Sequence, residues 1–180
     1  MPDHTPINIA LLDAIKTGNF DCLKLGQKKE WIINNFPPPD DVYKDNYTSP
    51  IWFYGNIELH FQDDETLFLI YSDNIDELNG GQSLILDKWI LSDPEKLTLE
   101  NVISSLNKER IGFKLAHKTL TNGYSSASIH ILLSSVSLSF APTEKDEEEI
   151  EEYLSRCIVE DSNLFKLASF SLTTDELRGV

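Results

Sequence analysis

Two stretches of this chain carry the same alternation of apolar and polar residues, and that doubling limits the fold more than any other feature. Residues 51–61 read IWFYGNIELHF and residues 129–140 read IHILLSSVSLSF. Ile57, Leu59 and Phe61 in the first match Val136, Leu138 and Phe140 in the second. A Leu-x-Leu step running into a helical pattern precedes each one, Leu23-Lys24-Leu25 in the first case and Leu97-Thr98-Leu99 in the other. The copies lie roughly 75–80 residues apart, about half the chain. Alternation with a period of two specifies strands with one buried face. An α+β fold of two related helix-plus-sheet units is therefore expected, residues 1–90 and a divergent second unit at 91–180.

The local signals divide the chain further. Thr5 and Pro6 suit the start of a helix over residues 6–17, with Ile7, Leu11 and Ile15 as its apolar stripe and Gly18-Asn19 as its stop. A second helix is expected over residues 27–35, burying Trp31, Ile32 and Phe36, until Pro37-Pro38-Pro39 ends it. Residues 51–61 read as one continuous strand. Its odd positions (Ile51, Phe53, Ile57, Leu59, Phe61) face the core, and Trp52, Tyr54, Asn56, Glu58 and His60 face outward. Gln62–Glu65 is a hairpin turn into a partner strand at 67–71, and Ser83–Ile90 is a further strand. Thr98 or Ser92 caps a helix carrying Leu99, Val102, Ile103 and Leu106, and Phe113–Leu120 is a strand followed by an Asn122-Gly123 turn. Residues 129–140 change phase midway, which a bulge near Ser134-Ser135 would reconcile. An acidic amphipathic helix with Ile150, Leu154 and Ile158 on its apolar stripe is inserted next, and Leu164–Leu172 is the last strand.

Composition excludes several functions. The net charge of −15 repels phosphate backbones and anionic membrane surfaces, so neither nucleic acid nor membrane is an expected partner. It would steer a basic protein toward the chain, and it also confers solubility. The N-terminus has no signal-peptide pattern and no window is a transmembrane run, so a cytoplasmic protein is expected. Cys22 and Cys157 fit no disulfide framework or metal motif and read as reduced thiols.

No residue set points to catalysis, a metal or a cofactor. Glu58 and His60 lie on one strand face and could exchange a proton, but no nucleophile or third orienting group accompanies them. His4, His60, His117 and His130 lack metalloprotease spacing, and Asp73-Asn74, Asp76 and Glu77 lack the order and glycine of a calcium loop. An outward patch of Trp52, Tyr54, Glu58 and His60 fits a protein interface better, since aromatic anchors dominate such surfaces. Glu147, Glu148, Glu151 and Glu152 supply steering charge, either as an imitation of a phosphate backbone or as a solvated helix face.

The first unit also resembles a known pattern. Leu25-Gly26, the helix Trp31–Phe36, the loop Pro37–Pro39, the segment Trp52–Phe61 and the strand Leu67–Tyr71 follow the helix-helix-then-sheet unit of outer-membrane assembly lipoproteins of the SmpA/OmlA type and of beta-lactamase inhibitor proteins. It is similar too to small immunity proteins of bacterial polymorphic toxin systems. The resemblance covers residues 5–75 and recurs loosely at 93–172, where Glu100 stands opposite Gly26 and Ser134 opposite Gly55. No lipobox cysteine is present, so the lipoprotein role does not transfer. The resemblance implies tandem units that bind through the sheet, hence a non-catalytic inhibitor, an immunity protein that occludes a basic toxin or effector domain. The alternative is a regulatory or scaffold module with no toxin partner. Edge strands and an aromatic face also permit a homodimer.

Overall fold

In the computed structural model, residues 5–44, 49–119, 125–142 and 165–173 are described. Ile7–Ala10 forms strand β1, Leu11–Thr17 helix α1 and Lys29–Asn35 helix α2. Asp41–Tyr43, Ile51–Tyr54, Ile57–Phe61 and Leu67–Ser72 form β2 to β5, and Leu84–Asp87 forms β6. Helix α3 is Leu99–Lys108, and β7 to β10 are Phe113–Thr119, Ser125–Ile131, Val136–Pro142 and Phe165–Thr173.

Eight strands make one antiparallel sheet in the order β2-β3-β4-β5-β10-β9-β8-β7. Each half is a four-stranded meander, and the last strands of the two meanders, β5 and β10, pair at the centre. One apolar cluster joins the inner face of both halves to α1, α2 and α3. It includes Ile9, Ile32, Ile57, Ile70, Val102, Leu106, Ile129, Leu138 and Phe170.

The expected single strand over residues 51–61 is a hairpin. Gly55, at a φ of 58°, and Asn56 reverse the chain so that Tyr54 faces Ile57 and Trp52 faces Leu59. A two-residue turn puts even positions before it and odd positions after it on the same side. Trp52 and Tyr54 are thus core residues, 6% and 0% exposed, and their expected outward placement is corrected. Phe53, opposite Glu58, takes the outer side instead. The phase change in residues 129–140 has the same origin. Leu132–Ser135 is a hairpin connection between β8 and β9, not a bulge.

Three further expectations change. Residues 7–10 are a strand parallel to β6, so the first helix is only Leu11–Thr17. Ile7 and Ile9 are β-branched and suit an extended chain, and β6 satisfies their backbone groups. Strand β6 accordingly joins this small sheet and not the first meander, and Trp89–Ser92 turns in a 3₁₀ helix. Trp31 is 39% exposed, whereas Ile32 and Phe36 are buried. Helix α3 matches its expected cap, with the Thr98 hydroxyl accepting from the Asn101 N–H at 3.3 Å. The acidic run and Cys157 lie outside the described residues.

The two meanders carry corresponding registers. In the first, Phe61 faces Leu67 and His60 faces Leu69, which leaves Phe68 as an extra residue. In the second, Phe140 faces Leu167 and Ser139 faces Ser169, which leaves Ala168 extra. The segment entering each helix is bonded to the matching strand. Gln27 O accepts from Leu67 N at 2.8 Å and Leu97 O from Leu167 N at 2.9 Å.

A single carboxylate ties the first half together. Asp40 Oδ2 accepts from Gly55 N at 2.7 Å and its Oδ1 accepts from Gln82 N at 3.0 Å. Gly81 has a φ of 64°, and a Cβ there would collide with the Asp40 carboxylate. Gly81→Ala therefore combines backbone strain with a displaced clamp. A loss of about 2–3 kcal/mol is expected, read as a lower midpoint in urea unfolding.

Lys28 donates to Asp64 Oδ2 at 2.8 Å and to Thr66 Oγ1 at 2.7 Å, fixing the β4–β5 turn to the start of α2. The hydrogen bond from Lys28, followed by those from the Thr66 hydroxyl and N–H, holds the Asp64 carboxyl at about 2, below its ordinary 3.8. Because the folded value is depressed, this contribution is present above the ordinary value and is lost as pH falls toward 2. Carboxyl NMR titration should show Asp64 returning toward 3.8 in Lys28→Ala. An unmoved Asp64 would sink this assignment.

Candidate functional site

The candidate site lies on the outer side of the large sheet. Strand pairing places one line of residues across all eight strands. It runs Asp41, Phe53, Glu58, Tyr71, Ser171, Ser137, His130, Lys114, each facing the next. Strands lie about 4.8 Å apart, so the line spans roughly 34 Å. Acidic and aromatic groups occupy the first half, hydroxyls and bases the second. A polar outer side is expected for an antiparallel sheet whose other side packs on helices.

The acidic half is built around Glu58 and His60. Their side chains meet at 2.6 Å, Glu58 Oε2 to His60 Nε2, with both about three-quarters buried. The His60 ring also packs edge-on against Phe68, with centroids 6.3 Å apart. Phe68 reaches this position as the extra residue of the bulge in β5. Beside them, Tyr71 is half-buried. Burial, followed by the nearby Asp73 charge, raises its phenol above the ordinary 10, while a hydrogen bond with Ser169 opposes the shift.

In the other half, His130 bridges two hydroxyls. Its Nδ1 lies 2.8 Å from Ser137 Oγ, and its Nε2 lies 3.1 Å from Ser128 Oγ. Each imidazole nitrogen thus faces one hydroxyl. Glu58 and His60 stay within one half and do not meet His130, because the pairing line separates them by three strands.

Of the residues expected at an interface, Glu58 and His60 are together on the outer side, as the alternation indicated. Trp52 and Tyr54 lie behind them. Trp52 packs edge-on against Phe61 at 5.0 Å, and the Lys29 ammonium sits 5.4 Å from its ring. Tyr54 packs against Phe36 at 5.4 Å and donates its hydroxyl to Pro37 O at 2.8 Å. Glu147, Glu148, Glu151 and Glu152 lie outside the described residues. Sequence reading missed Phe53, Tyr71 and the Ser128–His130–Ser137 chain. The Gly55-Asn56 pair was the available signal for Phe53, since Gly-Asn between two apolar runs marks a hairpin.

Among the described residues, no group of three or more His, Cys, Asp or Glu side chains is placed to hold a metal. None of their helices is long and apolar enough to cross a membrane. No family model, curated protein or solved structure matches the chain.

The Tyr71 environment is open to a direct check. Asp73→Asn should lower the Tyr71 phenol toward 10, seen as the ultraviolet titration difference between this variant and its Tyr71→Phe counterpart. An unchanged titration would remove Asp73 as a cause.

Proposed function

We propose that this chain is a non-catalytic protein-binding inhibitor, in kind a cytoplasmic immunity protein that neutralises a bacterial toxin by occluding it. The observation carrying this reading is the outer sheet side, where Phe53, Glu58, His60, Phe68 and Tyr71 form an acidic-aromatic patch. Aromatic side chains give contact area at low entropic cost, and a carboxylate beside them selects a cationic partner. The net charge of −15 supports the same partner class, a basic effector domain. Glu147, Glu148, Glu151 and Glu152 add to that long-range attraction.

We also propose that the halves are two copies of one helix-plus-meander unit, the arrangement of the beta-lactamase inhibitor proteins. The coincident registers, with Phe68 and Ala168 extra at matching points, support this reading. In this reading Trp52 and Tyr54 act from behind, as the packing that holds β3 and β4 flat under the patch.

The test is co-expression with the product of the adjacent gene, followed by pull-down and size exclusion. A stoichiometric complex and rescue of toxicity are expected. Glu58→Ala/Tyr71→Ala should raise the off-rate by about tenfold or more. Changing the four glutamates to glutamine should mainly slow association and flatten its salt dependence. Absence of both complex and toxicity would overturn the proposal.

A further inference from the structure

The far edge of β7 is the second surface with a chemistry of its own. Seven consecutive residues of β7 pair with β8 without a break, from Phe113 opposite Ile131 to Thr119 opposite Ser125. Gly112 O extends this ladder by accepting from Leu132 N at 2.9 Å. Among the described residues no strand pairs with the other edge of β7. A long, regular edge leaves a row of backbone donors and acceptors available to an added strand. The opposite edge of the sheet, β2, is three residues long and carries Asp41.

The charge at this edge is opposite to that of the chain. Five lysines elsewhere pair with carboxylates, Lys16 with Glu109, Lys28 with Asp64, Lys29 with Glu65, Lys96 with Asp93 and Lys166 with Glu95, and Lys24, Lys44 and Lys88 stand apart from one another. Lys108 and Arg110, where α3 turns into β7, and Lys114 within β7 are exposed. Among the described residues no ion pair engages any of these three. The chain as a whole repels anions, but charges are screened beyond about 8 Å at physiological salt, so the cations beside the edge govern what settles on it.

We propose that β7 is a docking edge for an extended acidic peptide, which adds as a ninth strand and places carboxylates against Lys108, Arg110 and Lys114. Backbone hydrogen bonds supply the mode of binding and the three cations supply the selection. The same cations disfavour a second copy of β7, because like charges would face one another across a self-paired edge. This proposal is independent of the acidic-aromatic patch, which takes a cationic partner on the sheet's outer side.

The experiment is an amide NMR titration of the full chain with an acetylated hexapeptide of alternating glutamate and valine. Shifts centred on residues 113–117, with slowed hydrogen exchange there, are expected. The peptide with lysine in place of glutamate, and an alternately N-methylated version, should not bind. Lys108→Glu/Lys114→Glu replaces two exposed side chains, and its melting curve checks that it folds. It should weaken the acidic peptide by about tenfold or more and admit the lysine peptide. Shifts elsewhere, affinity unchanged by charge reversal, no binding at millimolar peptide, or a concentration-dependent dimer protecting β7 would each overturn the proposal.

Discussion

The antiparallel pairing of β5 with β10 holds the molecule together. Tyr71 faces Ser171, and on either side Ile70 faces Leu172 and Ser72 faces Phe170. Without this contact each meander would end in an open edge at the centre of the sheet. With it, Ile70, Phe170 and Leu172 bring both halves into one apolar cluster. The junction has a cost: the hydroxyls of Ser72 and Thr173 are buried there with no hydrogen-bond partner among the described residues. Each such group typically costs about 1–3 kcal/mol relative to a satisfied one. The apolar burial on either side must exceed that for the sheet to stay continuous.

The same pairing creates the outer face. Tyr71 lies between Glu58 and Ser171, where the acidic half of the line meets the hydroxyl half. Its neighbours are fixed by ladder hydrogen bonds, so the patch is presented on rigid strands and not on loops. Lys29, over the Trp52 and Phe61 rings, connects α2 to the reverse of this surface. The proposed partner site and the helical layer therefore share the two strands β3 and β4. The basic edge at β7 lies at the other end of the sheet, so the two proposed docking surfaces share no residue.

The sequence revealed which residues alternate, but not where the chain turns back. The triplets Ile57-Leu59-Phe61 and Val136-Leu138-Phe140 are buried as their period requires. Each reads as the end of a long strand because an apolar run continues through the turn, from Trp52-Phe53-Tyr54 in one case and Ile131-Leu132-Leu133 in the other. A tight reversal and a bulge both shift the phase, so alternation alone does not separate them. That ambiguity misplaced Trp52 and Tyr54 while leaving Glu58 and His60 correct. Long-range pairing was also hidden. Ile7 and Ile9 find a parallel partner some 77 residues away at Leu84 and Leu86, and no local signal announces it. That Glu58 and His60 share a face is legible from their spacing of two. The line linking them to His130 and Lys114 depends on the order of strands, which is a tertiary property.

The two meanders differ most in how their last strands are connected. Five residues, Gln62–Thr66, join β4 to β5, whereas 22 residues separate β9 from β10. The entropy lost on closing a loop grows with the logarithm of its length, and five residues keep that cost small for β4–β5. Lys28 also reinforces the short turn through Asp64 and Thr66. The β4–β5 hairpin is thus short and pinned from the start of α2. Strand β10 aligns on β5, so the register between the two halves is set against that pinned hairpin.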